Sequence, residues 1–447
     1  MTQSAFPWLT AEPLLRPEVA KMGSRRARLQ ALLAGDLDFH GTVLAAPIHQ
    51  VHPFPAKFPP ALPRLFIQYL TTPGERVLDP MMGSGTTIVE AQRLGRQSLG
   101  GDIDPLALHL VRAKISPPST KALATAVART LERAETWLAK REAFADYRRR
   151  WDTATREFVD YWFLPQTQQE LWALQQAIRR EPKQSLHLWL QVLFSGIIIA
   201  KSSSVALARD LSHTRPHKVN KHPRSALQAF QMRARRVLRI LSAYVPQSAP
   251  RAHLWAGDAQ SLPLEANSVD LIVTSPPYAS NAIDYMRAHK FTLVWWGYPL
   301  NALTALRREY IGGEALSGVT MEPLPEIARQ AIARVANKDS RKGRVLQRYF
   351  SEMRRALHEM KRVLRPGGVA VLVVGDATMR GLSTQTPQSL AVIGQQVGLD
   401  WAGTGVRHLD RDRRMMPARA DALQTTQIEQ RMHQEYVLGF IKPGETP

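Results

Sequence analysis

The stretch VTSPPYAS, residues 273–280, leaves a hydrophobic strand signal, VDLIV at 269–273, through two consecutive prolines followed by an aromatic ring. One proline or a glycine is enough for a turn. Two prolines fix two φ angles and remove two backbone donors, so the corner offers carbonyls, one hydroxyl and one ring in a rigid arrangement. Ser275, Pro276, Pro277 and Tyr278 therefore form a pocket edge that accepts hydrogen bonds from a flat group bearing an NH2. Ser-Pro-Pro recurs in ISPPST at 115–120, but that copy follows a helical pattern, lacks the ring and reads as a helix stop.

A second chemical candidate is LDPMMGSGTT, residues 78–87, set between the strand signal ERVLD at 75–79 and the helix signal TIVEAQRLG at 87–95. Gly83 and Gly85 permit close backbone approach, and the helix that follows offers free N–H groups at its start. Asp102 lies 19 residues after Gly83, at the end of the next strand signal, QSLGGDID at 97–104. That is the spacing at which a carboxylate grips ribose hydroxyls. No lysine follows the second glycine, which disfavours Walker-type phosphate binding. The ligand implied is a nucleoside with a small charged tail.

The elements that must position these residues read as an interrupted α/β sheet. Strand, glycine turn, helix and strand begin it at 75–104; strand signals resume at 252–258, 269–275 and 368–376, and EYVLGFIK at 435–442 closes it. Between them, residues 119–248 have helical periodicity, an insertion far longer than an ordinary connection. The expected organisation is an N-terminal arm over 1–50 with a short helix near RRARLQALLAG, a first sheet part over 51–118, a basic helical insertion over 119–248 and a second sheet part over 249–447 containing a basic loop at 300–348.

Composition narrows the partners. Lysine and arginine number 59 against 38 acids, a net charge of +21, the footprint of a protein that meets polyphosphate. Ten of these cations face one acid, Asp210, within residues 201–240. In that segment LSHTRPHKVNKHPRS has loop composition, and Arg215, Lys218, Lys221 and Arg224 are the expected nucleic-acid contacts. A second basic zone at 329–348 could hold the other side of a duplex. With no cysteine there are no disulfides, thiolate zinc sites or cysteine nucleophiles, and His213, His217 and His222 lack a ligand spacing, so no metal is expected. The N-terminus lacks a signal-peptide pattern and no segment is long and apolar enough to span a bilayer, so a cytoplasmic chain without membrane contact is expected.

DPMMGSGTT, GGDIDP, GDAQSLP at 257–263 and TSPPY at 274–278 together resemble the amino-methyltransferases of DNA, whose first motif reads D-P-x-x-G-S-G-T and whose catalytic motif reads (D/N/S)-P-P-(Y/F). HPFPAKFPPAL at 52–62 is similar to the segment that in these enzymes holds the methionine end of S-adenosylmethionine, and MKRVLRPGGVAVLVVGD at 360–376 to their fifth-strand region. The resemblance covers about 50–115 and 250–442 and omits the insertion. It implies a Rossmann-like doubly wound, mostly parallel sheet of the class I methyltransferase kind. It also implies S-adenosylmethionine bound by Phe54, Ala56, Lys57, Phe58, Asp79, Pro80, Gly83, Ser84, Gly85, Thr86, Thr87, Asp102, Asp104, Asp258 and Ala259.

The reaction so implied is methyl transfer to an exocyclic amine of double-stranded DNA. Ser275 and the Pro276 carbonyl would orient the amine while Tyr278 stacks on a base flipped from the duplex, a task that needs its ring and not its hydroxyl. Cytosine C5 methylation, which needs a cysteine nucleophile, is excluded. Serine at the first motif position points to cytosine N4, since the family's adenine enzymes more often carry Asp or Asn there. Adenine N6, a guanine amine of structured RNA, and a catalytically silent DNA-binding protein are the alternatives. A cognate restriction endonuclease is a partner the resemblance allows.

Overall fold

The computed structural model describes residues 16–39, 46–55, 57–199, 204–208, 225–244, 252–279, 284–409 and 433–444. Among them, five strands form the expected parallel half of a sheet: β1 (Arg76–Asp79), β2 (Gln97–Asp102), β3 (His253–Ala256), β4 (Val269–Thr274) and β5 (Leu364–Gly375). A two-residue hairpin follows, β6 (Thr378–Met379) with β7 (Leu382–Ser383), and then β8 (Asp400–His408) and β9 (Gln434–Ile441). The sheet order is β3-β2-β1-β4-β5-β9-β8, and β9 is antiparallel to both β5 and β8. This is the doubly wound, mostly parallel sheet expected, with one antiparallel strand inserted near its edge.

Strand side chains alternate between two apolar layers, as the period of two requires. Val77, Leu271, Val273, Val369 and Val371 face one layer, while Leu78, Ile272, Ala370 and Leu372 face the other. The first layer holds α1 (Pro17–Lys21), α2 (Arg25–Ala34) and α3 (Ala61–Leu70). The segment expected as an N-terminal arm is thus partly core: Leu29, Leu32 and Leu33 of α2 are buried against the sheet. Their seats are Gly405 and Gly439, where an added Cβ would meet Leu37 and Leu33 at 2.6 Å. Gly405, with Gly403 in the same strand, also explains why β8 is absent from the sequence reading, since glycine weakens a strand signal while making room for a close helix.

The helices α4 (Thr86–Arg93) and α5 (Pro105–Lys114) carry the chain from β1 to β2 and onward. Between β2 and β3 come α6 (Thr120–Leu138), α7 (Arg141–Arg149), α8 (Thr153–Trp162), α9 (Pro165–Arg179), α10 (Gln184–Ile198) and α11 (Ala226–Ser242). ISPPST falls between α5 and α6, as a helix stop should. The insertion shares one core with the sheet domain: Trp172, Trp189 and Phe194 belong to the same buried cluster as Leu106 and Leu110 of α5 and Phe54.

After β4 come α12 (Tyr285–Leu293), α13 (Leu300–Glu309), α14 (Glu326–Lys338), α15 (Ser340–Val363) and, beyond the hairpin, α16 (Thr386–Gln396). Residues 300–348, expected as a basic loop, are therefore mostly helical. The basic side chains of 329–348 share α14 and α15 with Ala331, Val335, Leu346 and Tyr349, whose burial in the second layer sets those helices on the sheet. No helix among the described residues is long and apolar enough to cross a membrane.

Candidate functional site

The C-terminal ends of β1, β2, β3 and β4 surround one cleft of about 920 Å³, counted to its open mouth. A cleft outside the carboxyl ends of parallel strands is where open α/β sheets take ligands. The glycine loop forms its floor. Gly85 caps the start of α4 with φ 78°, and a Cβ there would meet Val111 at 2.5 Å, so both conformation and packing demand glycine.

Four carboxylates stand at the strand ends. Asp79 is buried and accepts hydrogen bonds from the Thr274 hydroxyl at 2.7 Å and the Met81 amide at 3.2 Å. Asp102 accepts from the Gly83 amide at 2.7 Å and the Asp104 amide at 2.8 Å. Asp104 caps α5 through the Leu106 amide, while its other oxygen takes His289 Nδ1 at 2.6 Å and the Tyr310 hydroxyl at 2.7 Å. Asp258 accepts from the Gln260 amide at 3.0 Å, closing the turn after β3.

Burial pushes the Asp79 carboxyl up to about 6. Burial, with the Asp104 charge beside it, pushes Asp102 up to about 7. Burial works on Asp104 in the same direction, but the His289 and Tyr310 contacts outweigh it and hold its carboxyl below the usual range. The cleft is thus an acidic site whose two raised carboxylates gain from a cationic ligand.

The proline corner meets this floor at the end of β4, the strand that pairs with β1. Ser275 donates its hydroxyl to the Val373 carbonyl of β5 at 3.1 Å and also interacts with the Tyr278 hydroxyl, so its oxygen keeps acceptor capacity toward the cleft. The Tyr278 hydroxyl donates to Glu435 of β9 at 2.9 Å, and Glu435 in turn holds buried Arg407 of β8 at 2.6 Å. Strand register sets this up, since Glu435 stands opposite both Gly375 and Arg407. The hydroxyl judged dispensable from sequence is an anchor.

Of the expected residues, Phe54, Phe58, Asp79, Pro80, Gly83, Ser84, Asp102, Asp104, Asp258, Ala259, Ser275 and Pro277 line the cleft together. Gly85, Thr86, Thr87, Pro276, Tyr278 and Lys57 do not line it. Thr87 instead donates to the Val273 carbonyl at 3.2 Å, tying α4 to β4, and Lys57 donates to the His49 carbonyl at 3.0 Å. Ala56, Arg215, Lys218, Lys221, Arg224, His213, His217 and His222 lie outside the described residues.

Sequence reasoning missed Glu309, Tyr310 and Ile311, which wall the cleft from the end of α13. Nothing local marks them. Buried Arg348 and Glu352 of α15 bring them in, Arg348 donating to the Tyr310 carbonyl at 3.2 Å and Glu352 accepting from the Gly312 amide at 2.6 Å. Beyond the corner, Tyr285 stacks on Phe54 with ring centroids 6.0 Å apart and lines the cleft, whereas Asp284 caps α12 and Lys290 lies over the Phe158 ring.

The family model N6_N4_Mtase, a DNA methylase, matches residues 36–112, the span from the end of α2 through the glycine loop to α5. The chain is 22% identical over 359 residues to the Type II methyltransferase M.MvaI of Kocuria varians, covering 76% of this chain and 79% of that one. These matches support a DNA amino-methyltransferase. A shorter match, 37% identical over 68 residues, joins it to the Type II methyltransferase M.MjaII of Methanocaldococcus jannaschii and spans 15% of this chain and 13% of that one. Among solved structures, a SAM-dependent methyltransferase from Methanosarcina mazei aligns at 10% identity and TM-score 0.32 over 85% of this chain and 97% of that one.

Proposed function

We propose that the chain is an S-adenosylmethionine-dependent DNA methyltransferase that modifies the exocyclic N4 of cytosine at a specific duplex site. One observation carries the reading: the glycine loop with its acidic floor and Ser275 and Pro277 of the proline corner line the same cleft, so a nucleoside-like cofactor and an amine can share one volume. The residues suit such a cofactor. Gly83 leaves the loop backbone open, with φ 48° and Phe54 as the one atom neighbour a Cβ would meet, at 3.7 Å. Asp79 and Asp102 supply negative potential to a ligand that carries a sulfonium and an ammonium, and Phe54 with Tyr285 provides a flat aromatic wall.

S-adenosylmethionine, when bound, supplies an electrophilic methyl group. The chain's own contribution is positioning. An amine conjugated to a base ring is a poor nucleophile because its lone pair is delocalised. The Ser275 oxygen, its hydrogen already committed to Val373, accepts from the amine and favours a nitrogen whose lone pair is free. The Pro276 carbonyl is the second acceptor assigned there, and Tyr278, braced by Glu435, is the stacking platform for the flipped base. Serine at the head of the motif carries the choice of cytosine.

The test is transfer of a labelled methyl group from S-adenosylmethionine to duplex DNA, followed by nucleoside mass spectrometry. 4-Methylcytosine is the expected product. 6-Methyladenine would keep the enzyme and replace the base, and labelled RNA or absent transfer would reject the reading.

A further inference from the structure

Lys57, assigned to the cofactor by resemblance, takes a different place in the fold. Its ammonium donates to the His49 carbonyl at 3.0 Å and interacts with Arg233 and Arg236 of α11. Arg233 Nη2 donates to the Val51 carbonyl at 2.7 Å, which fixes the guanidinium beside the 51–57 segment whose Phe54 lines the cleft. The guanidinium crosses Gly196 of α10 so closely that a Cβ there would meet Arg233 Nε at 2.8 Å.

Among the described residues this group of cations has no acid of its own. Among the described residues Lys57, Arg233 and Arg236 form no ion pair, and buried Arg233 Nε has no hydrogen-bond partner. Glu90, the carboxylate bonded to His49, is already occupied by His49, Arg93 and Arg64. Helix α11 contains Arg233, Arg235, Arg236 and Arg239 and no Asp or Glu. Lys57 is an exposed residue, but the chain packed around its ammonium, and after it the charges of Arg233 and Arg236, push that ammonium below its usual range. Like charges held together on backbone carbonyls destabilise the free protein, and an anion would relieve them.

We propose that Lys57, Arg233 and Arg236 clamp a backbone phosphate of duplex DNA beside the cleft, an inference that rests on the methyltransferase reading. A guanidinium fork and a point-charge ammonium suit the non-bridging oxygens of a phosphodiester. The cofactor's carboxylate is the poorer fit, because Lys57 does not line the cleft and Arg236 is exposed.

Arg233 also holds Val51, so the test uses Lys57→Met, Arg236→Gln and their double variant. Three readouts are needed: the salt dependence of binding to a short random-sequence duplex, titration with S-adenosylmethionine, and a melting curve. One lost phosphate contact lowers the logarithmic salt slope by about 0.9. The double variant is expected to show that drop and about tenfold weaker duplex binding at moderate salt, with cofactor affinity unchanged and melting unchanged or raised. An unchanged slope overturns the clamp. So does a loss of cofactor affinity at constant slope, which would assign the cations to the cofactor, and so does a melting loss that lowers all binding together. Wild-type protein that shows the Lys57-dependent slope but transfers no methyl group would remove the methyltransferase reading and leave the clamp standing.

Discussion

The two sides of the cleft are built in different ways. On the glycine-loop side the contacts are short in sequence and use backbone donors: Gly83 and Asp104 amides to Asp102, 19 and 2 residues apart, and Met81 to Asp79, 2 apart. The proline corner is fixed by side chains over long separations. Thr274 reaches Asp79 across 195 residues, Ser275 reaches Val373 across 98, and Tyr278 reaches Glu435 across 157. Three strands, β1, β5 and β9, thus each hold one residue of the corner. A locally closed turn keeps its shape wherever the chain supplies it, whereas the corner acquires its shape only after the sheet has assembled.

The largest effect should come from the proline corner. Ser275→Ala removes the acceptor proposed for the amine and should lower the single-turnover methylation rate about 100-fold, the scale of losing one preorganised polar contact to a reacting group. Melting should shift little, since the Val373 carbonyl loses one hydrogen bond, about 1 kcal/mol. A normal rate in that variant would remove the chemical half of the comparison.

Next comes Tyr278. Tyr278→Ala should lower turnover by roughly 10- to 100-fold through lost stacking, with cofactor affinity retained. Tyr278→Phe keeps the ring but cuts the link to Glu435, and a bond of about 1 kcal/mol predicts a loss of roughly 5-fold. Glu435→Gln should reproduce it, and the double variant should add nothing further. Additive losses would mean that the β9 anchor and the ring act separately.

On the local side, Asp102→Ala leaves two backbone amides without their acceptor. It should weaken cofactor binding and lower stability together, by about 2 kcal/mol in the latter. Weaker binding in a protein of unchanged melting temperature would show that Asp102 serves the ligand alone.

The smallest effect is one of pH. Burial and the Asp104 charge set Asp102 near 7 in the free protein. Protonation makes it neutral and removes its attraction for a cation, so cofactor affinity should fall as pH drops through about 7 and level off above it. Calorimetry between about pH 6 and 8 reads this directly, and Asp102→Asn should flatten the profile.

Much of the glycine-loop side was legible because its causes are local. The positive φ at Gly83 and Gly85, the strand ends at Asp79 and Asp102 and the helix that starts at Thr86 follow from residue type and order. The proline corner was legible as a motif but not as a structure: two prolines announce rigidity, yet nothing near Tyr278 names Glu435 as the partner of its hydroxyl.

What the sequence by itself determined was the parallel sheet with its helical insertion, the acidic glycine loop and the acceptor-rich corner, because propensity, periodicity and missing donors act over a few residues. Tertiary structure decided the rest. Leu33 and Leu37 found seats at Gly439 and Gly405 and turned an expected arm into core. Arg348 and Glu352 drew Glu309, Tyr310 and Ile311 to the cleft. Register placed Glu435 between Gly375 and Arg407, and the packing of α11 on the 51–57 segment gave Lys57 two arginines for neighbours. Each of these outcomes depends on which distant surfaces meet when apolar area is buried, and no local spacing encodes that choice.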